Sequence, residues 1–208
     1  RDPHPLHRRQ RQMCIRDSTR PEQIISSLQQ AIQIMLDPAD CGPACISLSQ
    51  DVQGEVYDYP EEFFKERVHV IRRPRPDDFQ IKEAAELIKK SKKPIIIAGG
   101  GVFYSDATDE LSDFAKKHNI PVTQTVMGYS SIKKDHTHYL GTIGGLGGRA
   151  ANNLSKETDT AIAIGTKLAD FTTGSWANFE NPNFKLVSIN AARFDANKHM
   201  AQAVVGDA

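Results

Sequence analysis

Apolar residues along this chain follow two rhythms. Between Ile24 and Met35 they recur at helical spacing, with Ile24, Ile25, Leu28, Ala31, Ile32 and Met35 on one side. Thr19 offers a cap for that helix and Pro21 sits near its first turn. The turn-rich stretch DPADCGP closes it, and ACISLSQDV then reads as a short strand with no partner strand near it in sequence. From Asp78 the rhythm becomes an alternation. Helices are predicted over Phe79–Lys90, Ala107–His118 and Arg149–Lys156; strands are predicted at Pro94–Ala98, Pro121–Thr125, Thr160–Gly165, Lys185–Asn190 and Ala203–Val205. A long loop to about Gly148 follows the second of these strands. Largely apolar strands separated by helices predict an α/β domain, a parallel sheet with helices on both faces.

The segments around that domain read differently. Residues 1–18, RDPHPLHRRQRQMCIRDS, hold five Arg and two Pro with no apolar period. They are expected to lie outside the fold, as a basic arm or a non-native or disordered tail. Residues 19–56 read as the tail of a preceding α/β domain, because one helix and one strand cannot bury their own faces. Residues 57–77 form a connector, exposed where Arg72, Arg73 and Arg75 interleave with Pro74 and Pro76. The alternating domain then runs from 78 to 208.

Charge and cysteine usage narrow the function classes. The chain has 26 basic and 26 acidic side chains, but its first twenty residues hold six Arg and two Asp, leaving 20 basic and 24 acidic groups in the rest. That balance carries no electrostatic footprint for nucleic acid. The longest apolar run, Pro94–Ala98, is far too short to span a bilayer, so no membrane partner is expected. Cys14, Cys41 and Cys45 are odd in number, and CGPAC lacks a second cluster to complete a zinc site. Cys45 is expected to pack as a small residue, and this usage suits a reducing cytoplasm.

In open parallel sheets, ligands bind beyond the carboxyl ends of the strands. Four segments fall there. Gly99, Gly100 and Gly101 follow the first strand of the domain. GTIGGLGGRAANNL puts five glycines before a helix, and Gly145-x-Gly147-x-x-Ala150 meets the spacing of a dinucleotide fingerprint but follows a loop rather than a strand. It either cradles an anion or cofactor or forms a tight loop packed on a neighbouring subunit. GTKLADFTTGSW places Thr166, Asp170 and several hydroxyls beside Trp176, fit either to bind a polyhydroxylated ligand or to cap a helix. Asn190 ends the strand KLVSIN, where a dinucleotide site wants an acid. The crevice candidates are thus Gly99, Gly100, Gly101, Gly145, Gly147, Thr166 and Asp170. His136 and His138 form an HxH with no plausible third metal ligand, and read as structural or surface residues.

Several strings, in order, resemble the thiamine diphosphate-dependent enzymes: GPACISLSQDVQ, KKPIIIAGGGV, IPVTQT, GTIGGLGG, TDTAIAIGTKLADF and a terminal VVGDA. The resemblance covers about residues 19–208. It implies that 19–56 ends a pyrimidine-binding domain and that 78–208 is the central domain. DPADCGP, QDVQGEVYDYPEEFF, RVHVIRRPRPD, DFTTGSW and FDANKH resemble the branch that hydrolyses a C–C bond to open a polyhydroxylated cyclic dione in inositol catabolism. The cofactors implied are thiamine diphosphate, as electron sink, and Mg²⁺. The family's catalytic Glu and its GDG…N metal motif are not in this stretch, since Gly206-Asp207-Ala208 closes the central domain instead. The chain is therefore expected to be a fragment with no catalytic or metal-binding residue of its own, inactive alone, serving as scaffold and subunit interface of a homo-oligomer. Some relatives hold FAD in this domain; Asn190 stands where their strand end carries Asp, so a flavin is not expected. Two alternatives stay open: a carboligase of the acetolactate synthase kind, and a non-catalytic nucleotide-binding or oligomerisation module.

Overall fold

The computed structural model describes residues 14–208, which form two compact units dividing between Arg72 and Arg73. In the first unit, strand β1 (Cys14–Ser18) pairs in parallel with β2 (Ala44–Leu48), Cys14 opposite Ala44 and Ser18 opposite Leu48. A parallel pair needs a crossover, and helix α1 (Gln23–Met35) supplies it. The strand ACISL therefore has a partner, drawn from the residues that sequence reading set aside; the rest of that segment, 1–13, lies outside the described residues. The reason is local: Arg16 and Asp17 hide a five-residue strand whose pairing is with a distant segment. Thr19 does not cap α1. Its backbone N–H donates instead to Oε1 of Gln23 at 2.7 Å, and the helix starts at Gln23 with Glu22 before it. Helix α2 (Gln50–Gln53) follows β2. Among the described residues of this unit, Ala31 and Val52 are the buried apolar side chains, a small core. Cys45 is exposed rather than packed, because its strand faces it outward.

The second unit carries a six-stranded sheet. Its strands are β3 (Pro94–Ala98), β4 (Val122–Gln124), β5 (Tyr139–Thr142), β6 (Thr160–Ile164), β7 (Lys185–Asn190) and β8 (Gln202–Val205). They lie in the order β5-β4-β3-β6-β7-β8, every pair parallel. This is the order of a doubly wound sheet, with its switch point between β3 and β6. The apolar runs follow from burial on both faces. Ile96 and Ala98 of β3 enter one core with Ala84, Val102, Leu111 and Val122. Ile95 and Ile97 enter the opposite core with Ile143, Ala151, Ala161 and Leu186. Alternation is present in space but invisible in the sequence, since both faces are apolar.

The helices are α3 (Asp78–Lys90), α4 (Gly100–Tyr104), α5 (Thr108–His118), α6 (Arg149–Glu157), α7 (Asp170–Thr173) and α8 (Arg193–Ala196). Asp77 caps α3, its carboxylate accepting the Phe79 N–H at 2.8 Å. Helix α5 begins with Asp109 and Glu110, ends with Lys116, Lys117 and His118, and stops at Asn119 in the left-handed conformation (φ 53°). Four elements depart from the sequence reading: β5 lies inside the expected long loop, α4 starts within the glycines expected to be a turn, and the one-turn helices α7 and α8 stand where no helix is predicted. The connector also differs at its end. Arg73 pairs with Asp106 at 3.2 Å and Asp207 at 3.0 Å, and the Asp207 N–H donates to the Pro74 carbonyl at 2.9 Å. Residues 73–77 therefore fold with the second unit instead of standing as exposed linker.

Asp159 joins the starts of β3 and β6. Its carboxylate accepts the Ser91 hydroxyl and the backbone N–H groups of Lys92 and Lys93. Partial burial pushes this carboxyl up, but those hydrogen bonds together outweigh it and hold its pKa below the ordinary 3.8. A carboxyl depressed on folding stabilises above its unfolded value, and that stability is lost as pH falls through the folded value. Asp159→Asn is expected to lower the melting temperature by a constant amount from pH 7 to 5. The gap should narrow below about pH 4; a pH-independent gap in thermal melts would contradict this.

Candidate functional site

The switch point lies where β3 and β6 end, and the structure brings the predicted glycines there against one another. The Gly99 N–H donates to the Ile164 carbonyl at 2.8 Å and the Gly101 N–H to the Gly165 carbonyl at 2.9 Å. A Cβ on Gly99 would stand 2.3 Å from the Gly165 oxygen, and one on Gly101 2.5 Å from the Gly165 Cα. Gly165 itself is left-handed, at φ 59°. Gly100 opens α4, and a Cβ there would stand 2.8 Å from the Met127 oxygen. Thr166 is buried, its hydroxyl accepting the Leu168 N–H. Asn190 spans the gap to β7: its amide nitrogen donates to the Thr166 carbonyl at 3.0 Å and its amide oxygen accepts the Ala192 N–H at 2.9 Å. Both ends of the Asn190 side chain are thus spent on backbone. These glycines set the approach of one loop to the other.

The second glycine run meets the loop after β6. The Gly145 N–H donates to the Phe171 carbonyl at 2.9 Å, and Gly144 (φ 95°) lies against the backbone of Phe171 and Thr172. Asn152 of α6 fixes the turn: its side-chain oxygen accepts the Gly144 N–H at 2.9 Å, and its amide donates to the Gly144 carbonyl at 3.1 Å. A Cβ on Gly147 would fall 2.7 Å from the Gly144 nitrogen. Asp170 sits at the start of α7, its carboxylate accepting the Ser175 hydroxyl at 3.2 Å. Two clusters result, one around Gly99, Gly101 and Thr166 and the other around Gly145, Gly147 and Asp170. His136 and His138 lie 5.6 Å apart by ring centroid, and Nε2 of His138 is 2.8 Å from the Asn119 side-chain oxygen. Among the described residues no group of three His, Cys, Asp or Glu gathers to hold a metal ion.

A feature that sequence reasoning missed lies beside β8. The strings DFTTGSW and FDANKH converge there: the Trp176 and His199 rings meet edge to face at 4.5 Å. They line an open groove of about 660 Å³ with Leu87, Phe184 and Met200. Ser175, Trp176, His199 and Met200 are all left-handed, at φ 54°, 67°, 60° and 56°. For residues with a Cβ that conformation costs roughly 1–2 kcal/mol each. Both strings were conspicuous in the sequence; their meeting was not.

Comparison with known proteins completes the site's setting. Residues 81–208 match the family described as thiamine pyrophosphate enzyme, central domain. Proteins named 3D-(3,5/4)-trihydroxycyclohexane-1,2-dione hydrolase align with most of the chain. That of Clostridium perfringens (strain 13 / Type A) is 48% identical over 189 residues, covering 91% of this chain and 30% of the relative. That of Clostridium botulinum (strain Alaska E43 / Type E3) is 49% identical, covering 91% and 29%. That of Bacillus licheniformis is 47% identical over 190 residues, covering 91% and 30%. The chain thus spans under a third of the length of these relatives. A solved structure from Mycobacterium smegmatis, provisionally described as a thiamin diphosphate-dependent enzyme, superposes with a TM-score of 0.69 at 21% identity, over 92% of this chain and 36% of that one. That likeness is one of fold alone.

Proposed function

From the premise that this chain belongs to the thiamine pyrophosphate enzymes, as their central domain, we propose that it serves a hydrolase that opens the ring of a polyhydroxylated cyclohexanedione by cleaving a C–C bond. The observation that carries this reading is the identity of about half the residues, over 91% of the chain, to relatives bearing that hydrolase name. The DFTTGSW and FDANKH strings, which resemble the ring-opening branch of the family, favour the same reading.

Within such an enzyme thiamine diphosphate with Mg²⁺ supplies the electron sink for C–C cleavage. Among the described residues no group of three carboxylates, histidines or thiols gathers to fit the metal, and no step through it is assigned to this chain. This chain's part is scaffold: two apolar cores around a parallel sheet, and loops at its carboxyl end whose close contacts fix their shape. A homo-oligomer in the cytoplasm is the expected setting. No helix among the described residues is long and apolar enough to cross a membrane. A flavin is not assigned, since the Asn190 amide is bonded to backbone at both ends.

The test is an assay of the complete gene product with thiamine diphosphate and Mg²⁺ on trihydroxycyclohexane-1,2-dione. The expected result is a ring-opened deoxyuronic acid. Formation of acetolactate from pyruvate, or no turnover of either substrate, overturns the reading.

A further inference from the structure

Trp176, His199 and Met200 belong to neither buried core, yet the backbone beneath them is held in a conformation that such residues avoid. Strained backbone of this kind collects at ligand clamps and sites of recognition. Two strained pairs, Ser175-Trp176 and His199-Met200, come from segments on opposite sides of β7 and frame the same groove. The surfaces they present are mixed. Trp176, Phe184, Leu87, Leu186 and Met200 are apolar, and Lys185, His199 and Gln202 are the polar side chains among the lining residues. His199 uses Nε2 on the Leu168 carbonyl at 3.3 Å, and Gln202 uses its amide nitrogen on Glu83 at 3.0 Å. Nδ1 of His199, the side-chain oxygen of Gln202 and the Lys185 ammonium have no partner among the described residues. Small-molecule sites are lined mainly by apolar side chains with a few polar groups, and the lining of this open groove has that mixture.

We propose that this groove binds a six-membered polyhydroxylated ring, its C–H face on the Trp176 indole and its hydroxyls on His199, Lys185 and Gln202. A ring whose hydroxyls are mostly equatorial has two apolar faces and a polar edge. The electron-rich indole face receives the first; one ammonium donor, one amide acceptor and one imidazole nitrogen receive the second. The choice of ring rests on the function proposed above, whereas the existence of the site rests on the groove.

The chain has a single tryptophan, so its indole emission reports this groove alone. Titrating the 208-residue chain with myo-inositol is expected to shift Trp176 emission saturably, with a Kd of about 1–10 mM, a strength fitting one aromatic platform and a few hydrogen bonds. Sorbitol, an acyclic hexitol with as many hydroxyls, should give no saturable change. His199→Ala and Lys185→Met should each weaken binding about fivefold, the worth of one hydrogen bond. If His199→Ala loses its fold by circular dichroism, the exposed Lys185→Met carries the test. No saturation up to about 100 mM, an equal response to sorbitol, or unchanged affinity in a folded variant each overturn the proposal. Saturable inositol binding without dione hydrolysis by the complete gene product would sink the function and keep the site; hydrolysis without inositol binding would do the reverse.

Discussion

Gly165→Val is expected to leave the 73–208 unit unable to fold. The position combines two independent obstacles. Its φ of 59° disfavours a β-branched side chain. A Cβ would also lie 2.5 Å from the Gly101 Cα and 2.8 Å from the Val102 nitrogen. Backbone cannot move aside as a flexible side chain does, and Gly165 also donates its N–H to the Ile189 carbonyl at 2.8 Å. Shifting it would pull at three strands together, a loss of about 4 kcal/mol or more. Gly148 gives the contrast: a Cβ there meets nothing within 4 Å and its φ is −71°. Gly148→Ala should melt within a few degrees of the parent, while Gly165→Val should be insoluble or lack a cooperative transition. Equal melting of the two would show that the close approach at the switch point is not required.

Ile96→Ala is expected to give the largest loss among core truncations. Ile96 is fully buried on the central strand, paired with Val122 on one side and Ile162 on the other. Close-packed neighbours cannot fill the space left by three carbons, and such changes cost about 2–5 kcal/mol. In a unit of this size that lowers the melting temperature by roughly 10 °C. Ile81→Ala on α3, where the side chain is exposed, should cost under about 1 kcal/mol. A calorimetric comparison in which the two shifts were alike would contradict the assignment of Ile96 to the core.

The strands were legible in the sequence in proportion to their burial. Pro94–Ala98, Thr160–Ile164 and Lys185–Asn190 lie inside the sheet, and burial on two faces makes them mostly apolar, PIIIA throughout and TAIAI and KLVSIN in their middles apart from Ser188. Tyr139–Thr142 lies at the edge, is only partly buried, and includes Gly141 at φ 93°; with one neighbour and a glycine it reads as loop. Helix α4 was hidden because Gly100 and Gly101 begin it, residues that ordinarily interrupt helices. Among the site residues, the glycines stood out by type alone. The contacts that explain Gly99 and Gly101 run to a loop that follows a different strand. The Trp176–His199 contact likewise joins segments separated by all of β7. Local pattern carries no information about such pairs.

The Arg73 clasp has a mechanical consequence. Arg73 reaches Asp207 and Asp106 together, the Pro74 carbonyl holds the Asp207 N–H, and the Ser105 hydroxyl donates to Asp207 at 2.7 Å. The chain thus arrives at this unit and leaves it through one point. Tension applied across residues 73 and 208 would fall first on that small knot, parting its bonds one after another, before any load reached the ladder between β3 and β6. Two of its bonds are ionic and partly open to water, so raising the salt concentration should lower the force needed to start that parting.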